Sequence, residues 1–268
     1  MAQRGPHTPD TVDHPWGESP GSAAGHRRSV RAEVIWRLVR AALEEQVEVA
    51  ARSVLDVVDA GGGTGNLAVP IARLGHRVTV VDPSPDSLAA LERRAEEAGV
   101  TDRVRAVQGD AADLPDVLQT TADLVLCHSV LEVVDDPGVA LRALAGVLRP
   151  GGALSVVVAN RYGLVLTKLL GGHIAEARTA LTDPAGRWGV SDPVPRRFTA
   201  EQLRRAVEDA GLVVLAEHGV RVVTDLVPSR CADDPGGVDE LLQLESLASE
   251  DPTFRALATQ LHVLARRL

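Results

Sequence analysis

The chain has 268 residues, of which 45% are hydrophobic and 24% charged, so it is long enough for one α/β domain with additions and a substantial core. Its net charge of −9 argues against avid, non-specific binding to nucleic acid, and no apolar run approaches the roughly 20 residues that span a membrane, so we expect a cytoplasmic protein without a signal peptide. Cys127 and Cys231 are far apart and lack metal-ligand spacing, so we expect neither a disulfide nor a metal site.

The N-terminal region divides into a tail and a helix. Prolines and glycines interrupt every periodicity in residues 1–26, which predicts a disordered tail. From Arg27 to Arg52 apolar residues recur at helical spacing, which predicts one amphipathic helix. We predict that residues 27–268 form a single domain, because strand and helix patterns alternate throughout them.

The most informative segment follows this helix. An apolar run ends at Asp59, and the turn that follows contains four glycines (Gly61, Gly62, Gly63 and Gly65). Because glycine has no side chain, a ligand can lie against the bare backbone of such a strand-to-helix turn. A dinucleotide-binding turn is the alternative, but Asn66 stands where that motif has its third glycine. The Asp59 carboxylate suits a ligand that carries an amino group.

Four more strands are predicted downstream. They cover Arg77 to Val81, Val104 to Gln108, a run from Asp123 to His128, and Ala153 to Ala159 after a Pro-Gly-Gly turn. Asp82 directly follows the first of them, and a carboxylate at a strand's carboxyl end can accept both hydroxyls of a ribose. Crossover helices are predicted over Gly65–Leu74, Asp86–Ala98 (capped by Ser84) and Pro137–Val147. This alternation predicts a parallel sheet that is covered on both faces.

The C-terminal part adds further elements. We predict a short helix from Leu164 to Leu170 followed by loops, a helix capped by Thr199 that runs to Gly211, strands over Leu212–Ala216 and Val220–Leu226, helix within 236–259, and an antiparallel edge strand from Leu261 to Arg266. The insertions 161–196 and 227–259 fall at the carboxyl-end rim, where a substrate lid would lie. The alternative is that they only cover apolar sheet.

The glycine turn after Asp59, the later Asp82, and Leu148-Arg149-Pro150-Gly151-Gly152 together resemble the motifs of class I S-adenosylmethionine (AdoMet) methyltransferases. Further segments resemble the tRNA carboxymethoxyuridine methyltransferase family (CmoM, formerly SmtA): His128-x-Val130-Leu131-Glu132, Asn160-x-x-Gly163-Leu164, Gly219-Val220-Arg221-Val222, Leu242-x-Leu244-Glu245 and Leu261-His262-Val263. This resemblance implies a Rossmann-like, seven-stranded, mostly parallel doubly wound sheet with AdoMet as cofactor.

The resemblance also implies which residues hold the cofactor. Arg31 on the N-terminal helix would pair with the AdoMet carboxylate, a partner that suits the guanidinium fork. The loop at Asp110 would flank the adenine. The full predicted cofactor set is Arg31, Asp59, Gly61, Gly62, Gly63, Asp82, Asp110, Ala111, Ala112 and His128.

By the same resemblance, the reaction is methyl esterification of the carboxylate of a modified wobble uridine in tRNA. A carboxylate is ionised at pH 7, so no general base is required, and catalysis would depend on alignment in a dry pocket. Asn160 and Tyr162, at the end of the fifth strand, are candidates for positioning the acceptor. Arg161 and Arg221 are candidate partners for its carboxylate.

One departure from the family leaves the acceptor open. Where the family carries a lysine-rich stretch, this chain has residues 178–187, so that mainly Arg187, Arg196 and Arg197 remain to meet phosphates. Trp16 and Trp188 are candidates for base stacking or for packing. A small-molecule O- or N-methyltransferase on the same scaffold therefore remains an alternative, and a non-catalytic AdoMet-binding partner subunit is a third. The sequence does not give the oligomeric state.

Overall fold

The computed structural model describes residues 23–118, 120–227 and 237–268, with side chains from residue 32 onward. The strands are β1 (Asp56–Ala60), β2 (Arg77–Asp82), β3 (Val104–Gln108), β4 (Ala122–His128), β5 (Leu148–Ala159), β6 (Leu212–Val220) and β7 (Gln260–Arg267). The helices are α1 (Ala23–Ala50), α2 (Ala68–Arg73), α3 (Pro85–Glu97), α4 (Leu114–Val117), α5 (Pro137–Val147), α6 (Arg161–Leu170), α7 (Ile174–Thr182), α8 (Ala200–Asp209), α9 (Gly237–Glu250) and α10 (Pro252–Leu257). A 3-10 turn covers Ala111–Asp113.

The strands form one seven-stranded sheet in the order β3-β2-β1-β4-β5-β7-β6. The first five strands are parallel, and β7 is antiparallel to both of its neighbours. The predicted antiparallel strand is therefore confirmed, but the prediction that it forms the edge is wrong, because β6 occupies the edge. Residues 261–265 of β7 are buried on both faces of the sheet, which is typical of a central strand.

Helices cover both faces of the sheet, as predicted. One face packs against apolar side chains of α1, α2, α3 and α9. The other face packs against α4, α5, α8 and the 3-10 turn. The two faces enclose two separate hydrophobic clusters, so the molecule is a doubly wound three-layer α/β structure.

Capping residues place the helix starts close to where the sequence predicts them. The Ser84 hydroxyl accepts from the Ser87 N–H at 3.2 Å, and Thr199 forms a reciprocal capping box with Gln202. Helix α1 begins at Ala23, four residues before the predicted boundary of the tail, whereas residues 1–22 lie outside the described part of the chain.

Three other predicted elements differ from the structure. The predicted strand from Val220 to Leu226 is wrong after its first residue, because the buried Glu245 carboxylate accepts the N–H groups of residues 222, 223 and 224 at 2.5, 3.0 and 3.0 Å and curls the chain into turns. Helix α7 lies in a region predicted as loop. The predicted helical stretch 236–259 divides into α9 and α10, because Asp251 and Pro252 start a new helix there.

A network of ion pairs closes the amino-end edge of the sheet, opposite the ends of the strands where ligands bind. The Asp123 carboxylate, 3% exposed, accepts from Arg52, from Arg149 at 2.8 Å and from the Asp56 N–H at 2.7 Å. Arg149 also pairs with Asp56 at 2.8 Å. Burial alone would raise the pKa of Asp123, but these hydrogen bonds outweigh it and hold the pKa below its usual value.

No helix in the described ranges is both long and apolar enough to cross a membrane.

We predict that Asp123→Asn lowers the free energy of unfolding by about 2 kcal/mol at pH 7, because it removes a buried partner of two arginines. Since the folded state lowers this pKa, the stabilisation is complete above the unfolded value of about 3.9 and is lost as the pH falls through the lower folded value. Urea unfolding of both proteins at pH 7 and pH 3.5 measures this. The exposed Asp102→Asn is the control, and an equal loss of stability at both pH values would contradict the prediction.

Candidate cofactor and acceptor site

The candidate site lies where the connections of the sheet change direction. From β1 the chain crosses to β2 on one side, whereas β4 leads to β5 on the other, so the loops after β1 and β4 diverge and leave a crevice at the carboxyl ends. Gly61 marks the place: its N–H donates to the Val81 carbonyl at 2.7 Å, and a Cβ there would lie 2.3 Å from Val130 in the loop after β4. Only a residue without a side chain fits between these two loops.

The glycine turn presents backbone toward two carboxylates. A Cβ on Gly62 would lie 2.5 Å from the Asp59 carboxyl group, so Gly62 allows that buried side chain to press against the turn. Gly63 has a φ of +54°, and a Cβ there would have only Asp82, at 3.9 Å, within 4 Å. The turn is therefore packed at Gly61 and Gly62 and open at Gly63.

Asp59 is the penultimate residue of β1 and Asp82 the last residue of the adjacent β2, and they are 3% and 8% exposed. The Asp82 carboxylate accepts from the Gly63 N–H at 3.0 Å with one oxygen and from the Ser84 N–H at 2.9 Å with the other. Burial, and then the neighbouring charge of Asp82, raise the pKa of Asp59 to about 7. The crevice thus holds the Asp82 carboxylate, which two backbone N–H groups keep in place, and the Asp59 carboxyl group, whose pKa is near neutral.

The loop after β3 supplies the third predicted contact region. Asp110 is exposed, and one of its oxygens accepts from the Ala112 N–H at 3.2 Å, which caps the 3-10 turn. Ala111 is buried at 6% exposure. The other Asp110 oxygen is therefore the one that could face a ligand.

Arg31 belongs to α1, although its side chain lies outside the described part of the structure. The C-terminal end of α1 lies at the amino-end edge of the sheet, where the Gln46 amide donates to the Gly151 carbonyl at 3.4 Å. Arg31 precedes Gln46 by 15 residues, or about 22 Å of helix, which is close to the length of a seven-residue strand. The contact of Arg31 with the cofactor therefore stays a prediction.

His128, the last residue of β4, borders the crevice on its other side. Its Nε2 is 2.8 Å from the Ser155 hydroxyl of β5. Ser155 in turn lies 3.0 Å from Nε2 of His262, and Nδ1 of His262 lies 3.0 Å from Nδ1 of His218. No sequence motif pointed to Ser155 or His218, and His262 stood out only as part of the Leu261-His262-Val263 motif.

Asn160 and Tyr162 differ in what they offer an acceptor. The Asn160 side chain is 1% exposed: its amide donates to the carbonyls of Ala256 and Ala258 at 2.9 and 2.7 Å, and its oxygen caps α6 at the Tyr162 N–H, 3.1 Å away. Asn160 could therefore position an acceptor only indirectly, by fixing the start of α6. Tyr162 is 42% exposed in the first turn of that helix.

The two candidate carboxylate-binding arginines are engaged within the fold. Arg221 has a φ of +60° and pairs with Asp225 at 2.6 Å, and Thr259 donates to the same carboxylate at 2.8 Å. Arg161 donates to the Pro184 carbonyl at 2.5 Å. Arg221 is therefore already neutralised, whereas Arg161 makes no ion pair within the described residues.

All three arginines expected to meet phosphates are also engaged, and Arg187 donates to the Val190 carbonyl at 3.1 Å. Arg197 is 7% exposed and forms a bidentate pair with Asp192 at 2.6 and 3.0 Å. Arg196 donates to the carbonyls of Leu131 and Val134 at 3.1 and 2.9 Å. Arg196 therefore ties the 184–198 segment to the loop after β4, whereas Arg197 stabilises the segment internally.

Trp188, a candidate for base stacking, has the Lys168 ammonium 3.9 Å from its ring centroid, so one face of the ring is covered. Trp16 lies outside the described residues. Within the described ranges no group of three or more His, Cys, Asp or Glu side chains could hold a metal ion.

The crevice fits an adenosyl ligand with an amino acid tail. Its open backbone at Gly63, two carboxylates at adjacent strand ends and an exposed carboxylate at Asp110 supply acceptors for ammonium, hydroxyl and exocyclic amine groups. A pyrophosphate would be repelled by Asp59 and Asp82.

Comparisons with known proteins agree with this geometry. Residues 58–156 match a family described as a methyltransferase domain. The chain is 33% identical over 213 residues to the tRNA 5-carboxymethoxyuridine methyltransferase of Escherichia coli strain K12, with 80% of each chain covered. It is 38% identical over 112 residues to the ubiquinone biosynthesis O-methyltransferase of Methylocella silvestris, with 40% of this chain and 41% of that one covered.

Solved structures share the fold at lower identity. The magnesium protoporphyrin IX methyltransferase of Synechocystis PCC 6803, with bound SAH, superposes with a TM-score of 0.59 at 17% identity, covering 95% of this chain and 91% of that chain. The cyclase SpnF superposes with a TM-score of 0.55 at 21% identity, covering 94% and 84%. Because SpnF is a [4+2]-cyclase, these likenesses establish the fold alone.

The residues of the crevice and the length of the similarity lead to one conclusion: this chain is a class I AdoMet-dependent methyltransferase and belongs to the family of the tRNA 5-carboxymethoxyuridine methyltransferases.

Proposed function

We propose that this enzyme transfers the AdoMet methyl group to the carboxylate of a modified wobble uridine in tRNA and forms a methyl ester. The observation that carries the proposal is the extent of the similarity to the E. coli tRNA enzyme. That similarity covers 213 residues, whereas the methyltransferase domain covers residues 58–156, so it continues well into the acceptor side of the molecule. The similarity to the ubiquinone enzyme covers only 112 residues.

In this proposal each crevice residue contacts a different part of the cofactor. Asp82 accepts the ribose hydroxyls, the open turn at Gly63 lies against the adenosyl group, and Asp110 with Ala111 and Ala112 borders the adenine. Asp59 and Arg31 hold the amino and carboxylate groups of the tail, and His128 closes the crevice on the β4 side. When bound, AdoMet supplies a methyl group activated by a sulfonium sulfur.

The protein's own part in the proposed reaction is positioning. A carboxylate acceptor is ionised at pH 7 and gives up no proton, so the site needs no general base. Tyr162, exposed at the end of β5, can donate a hydrogen bond to the acceptor, and Asn160 fixes the helix that carries it. Arg161, which lies between Asn160 and Tyr162 in the sequence, is the candidate to pair with the acceptor's carboxylate.

A small-molecule acceptor is the second candidate function, and a specific observation favours it. Arg196 and Arg197, which were expected to meet phosphates, instead donate hydrogen bonds to backbone carbonyls and to Asp192 within the protein. Each phosphate contact that is lost weakens RNA binding and lowers its dependence on salt. A tRNA substrate would then have to be held by other exposed cations, such as Arg178.

We predict that Asp82→Asn weakens the binding of S-adenosylhomocysteine by about 30- to 150-fold, because a hydrogen bond to a charged group contributes roughly 2–3 kcal/mol. Isothermal titration calorimetry measures the affinity, and the unfolding temperature checks that the fold is intact. Asp86→Asn, which removes the same charge from the exposed first turn of α3, is the matched control. An unchanged affinity in Asp82→Asn would refute the ribose assignment.

The charge of Asp59 gives a prediction about pH. Since the folded state raises the pKa of Asp59 to about 7, the folded protein retains a proton that the unfolded chain releases above about pH 4. This group's contribution to stability therefore falls as the pH rises from about 4 to 7. Asp59→Asn removes the effect, so the variant without ligand should gain about 2 kcal/mol over wild type between pH 5 and pH 8.

The same substitution should weaken cofactor binding at pH 8, where the wild-type carboxylate is ionised and can attract the amino group of the tail. Urea unfolding and calorimetry at both pH values measure the two effects. A variant that follows the wild-type pH profile in both measurements would show that Asp59 does not titrate in this range.

The acceptor is tested by transfer of label from methyl-labelled AdoMet into fractions of a lysate from cells that lack the gene. For a tRNA ester we expect label in the tRNA fraction that ribonuclease and mild base both release, and much less label with the Asp82→Asn enzyme at a limiting concentration of AdoMet. Label in the small-molecule fraction would reject the tRNA proposal and favour the second candidate.

A further inference from the structure

The glycine turn of the crevice has a second side, which faces helix α3. The Gly65 N–H donates to the Gly62 carbonyl at 3.0 Å, so residues 62–65 form a closed turn with Gly63 and Thr64 at its centre. Gly63 is the position that is open toward the crevice, and its N–H donates to the Asp82 carboxylate at 3.0 Å. A contact that holds Thr64 therefore also fixes the direction of the neighbouring Gly63 backbone.

The turn has little regular structure of its own. Gly61, Gly63 and Gly65 have φ values of +72°, +54° and +78°. Glycine loses more conformational freedom on folding than any other residue, so three such positions are costly to hold in one conformation. Helix α2 begins only at Ala68, beyond the last of these glycines. The order of the turn therefore depends on contacts from neighbouring elements.

Arg94 of α3 supplies hydrogen bonds to the turn. Its Nη1 lies 3.1 Å from the Thr64 carbonyl oxygen, 3.3 Å from the Thr64 hydroxyl and 2.6 Å from the side-chain oxygen of Asn66. This nitrogen carries two hydrogens, so the three acceptors share two donors. The peptide group between Thr64 and Gly65 is thereby held on both sides, because its carbonyl accepts from Arg94 and its N–H donates to Gly62.

The rest of α3 holds Arg94 in place over the turn. A Cβ on Gly65 would lie 2.2 Å from Cδ1 of Leu91, which is fully buried one helical turn before Arg94. At its start the helix is capped by Ser84, whose N–H donates to the Asp82 carboxylate at 2.9 Å. Helix α3 therefore connects the end of β2 to the glycine turn, and both carry predicted cofactor contacts.

We propose that Arg94 is a positioning residue, which holds the glycine turn in the conformation that accepts the cofactor by donating to Thr64 and Asn66. The proposal rests on the proposed contact between this turn and AdoMet, and it does not depend on which acceptor receives the methyl group. Without these hydrogen bonds the empty turn populates other conformations, and the apparent affinity falls with the fraction that remains correctly ordered. Asn66, which stands where the dinucleotide-binding motif has its third glycine, thereby gains a role as the partner of Arg94.

The test compares three variants of the full chain, Arg94→Met, Arg94→Lys and Arg93→Met. Methionine keeps an apolar stem but donates no hydrogen bond, whereas a lysine ammonium can replace the single guanidinium nitrogen that makes these contacts. Arg93→Met is the matched control, because it removes the same charge from an exposed position of the same helix. S-adenosylhomocysteine is the probe, since it has no sulfonium charge on which the loss of an arginine would act directly.

We expect Arg94→Met to bind S-adenosylhomocysteine about five- to tenfold more weakly in calorimetry, which corresponds to a correctly ordered turn in about a tenth to a fifth of the empty molecules. Arg94→Lys should recover most of this loss, and Arg93→Met should match wild type. Amide exchange measured by NMR without ligand gives an independent readout. The amides of Gly63 and Gly65 should exchange faster in Arg94→Met, whereas those of Val78 and Val80 in β2 should keep their wild-type rates.

An unchanged affinity in Arg94→Met, or an equal loss in Arg93→Met, would overturn the proposal. Weaker binding with unchanged exchange at Gly63 and Gly65 would also overturn it, because the turn would then be ordered without Arg94. An Arg94→Lys variant as weak as Arg94→Met would show that hydrogen-bond donation is not the cause. If wild type fails to bind S-adenosylhomocysteine, this inference fails together with the proposed cofactor contacts, whereas methyl label in the small-molecule fraction would reject only the tRNA acceptor.

Discussion

The structure depends on the close packing of two buried carboxylates against bare backbone where the sheet connections diverge. Asp59 and Asp82 lie at the carboxyl ends of neighbouring parallel strands, and the parallel register between β1 and β2 fixes their separation. Each could be held this way only because the turn between them lacks side chains at the points of contact. This arrangement costs stability in the empty protein, because the two charges repel each other, and it favours a ligand that brings a positive charge and hydrogen-bond donors.

Buried carboxylates lie at both ends of the parallel strands, but they are compensated in different ways at the two ends. At the amino-end edge Asp56 and Asp123 are matched by arginines, so the edge is closed and electrostatically satisfied. At the carboxyl-end edge the carboxylates are buried beside glycine backbone, and no arginine pairs with Asp59 or Asp82 within the described residues. The contrast is the reason for assigning the ligand to the crevice and a stabilising role to the opposite ends of the strands.

Much of this could be predicted from sequence, for reasons visible in particular residues. Strands such as Arg77–Asp82 and Val104–Gln108 were placed within their observed bounds, because β-branched apolar runs that end in Asp or Gly have few alternatives. What failed depends on distant contacts. The local sequence does not show that the Glu245 carboxylate binds the N–H groups of residues 222–224. It also does not show that β7 inserts between β5 and β6, or that the Asn160 amide donates to a carbonyl of α10. The side-chain row from His128 to His218 is likewise a product of strand order, since its members come from four strands that lie far apart in the chain.

We propose that the loops after β1, β2 and β3 together hold the cofactor. Amide hydrogen exchange of the full chain, with and without saturating S-adenosylhomocysteine, tests it most directly. We expect slower exchange in residues 59–65, 82–84 and 110–112, and no change at the amino-end edge around Asp123. Protection confined to other segments, or none in these three loops, would contradict the account.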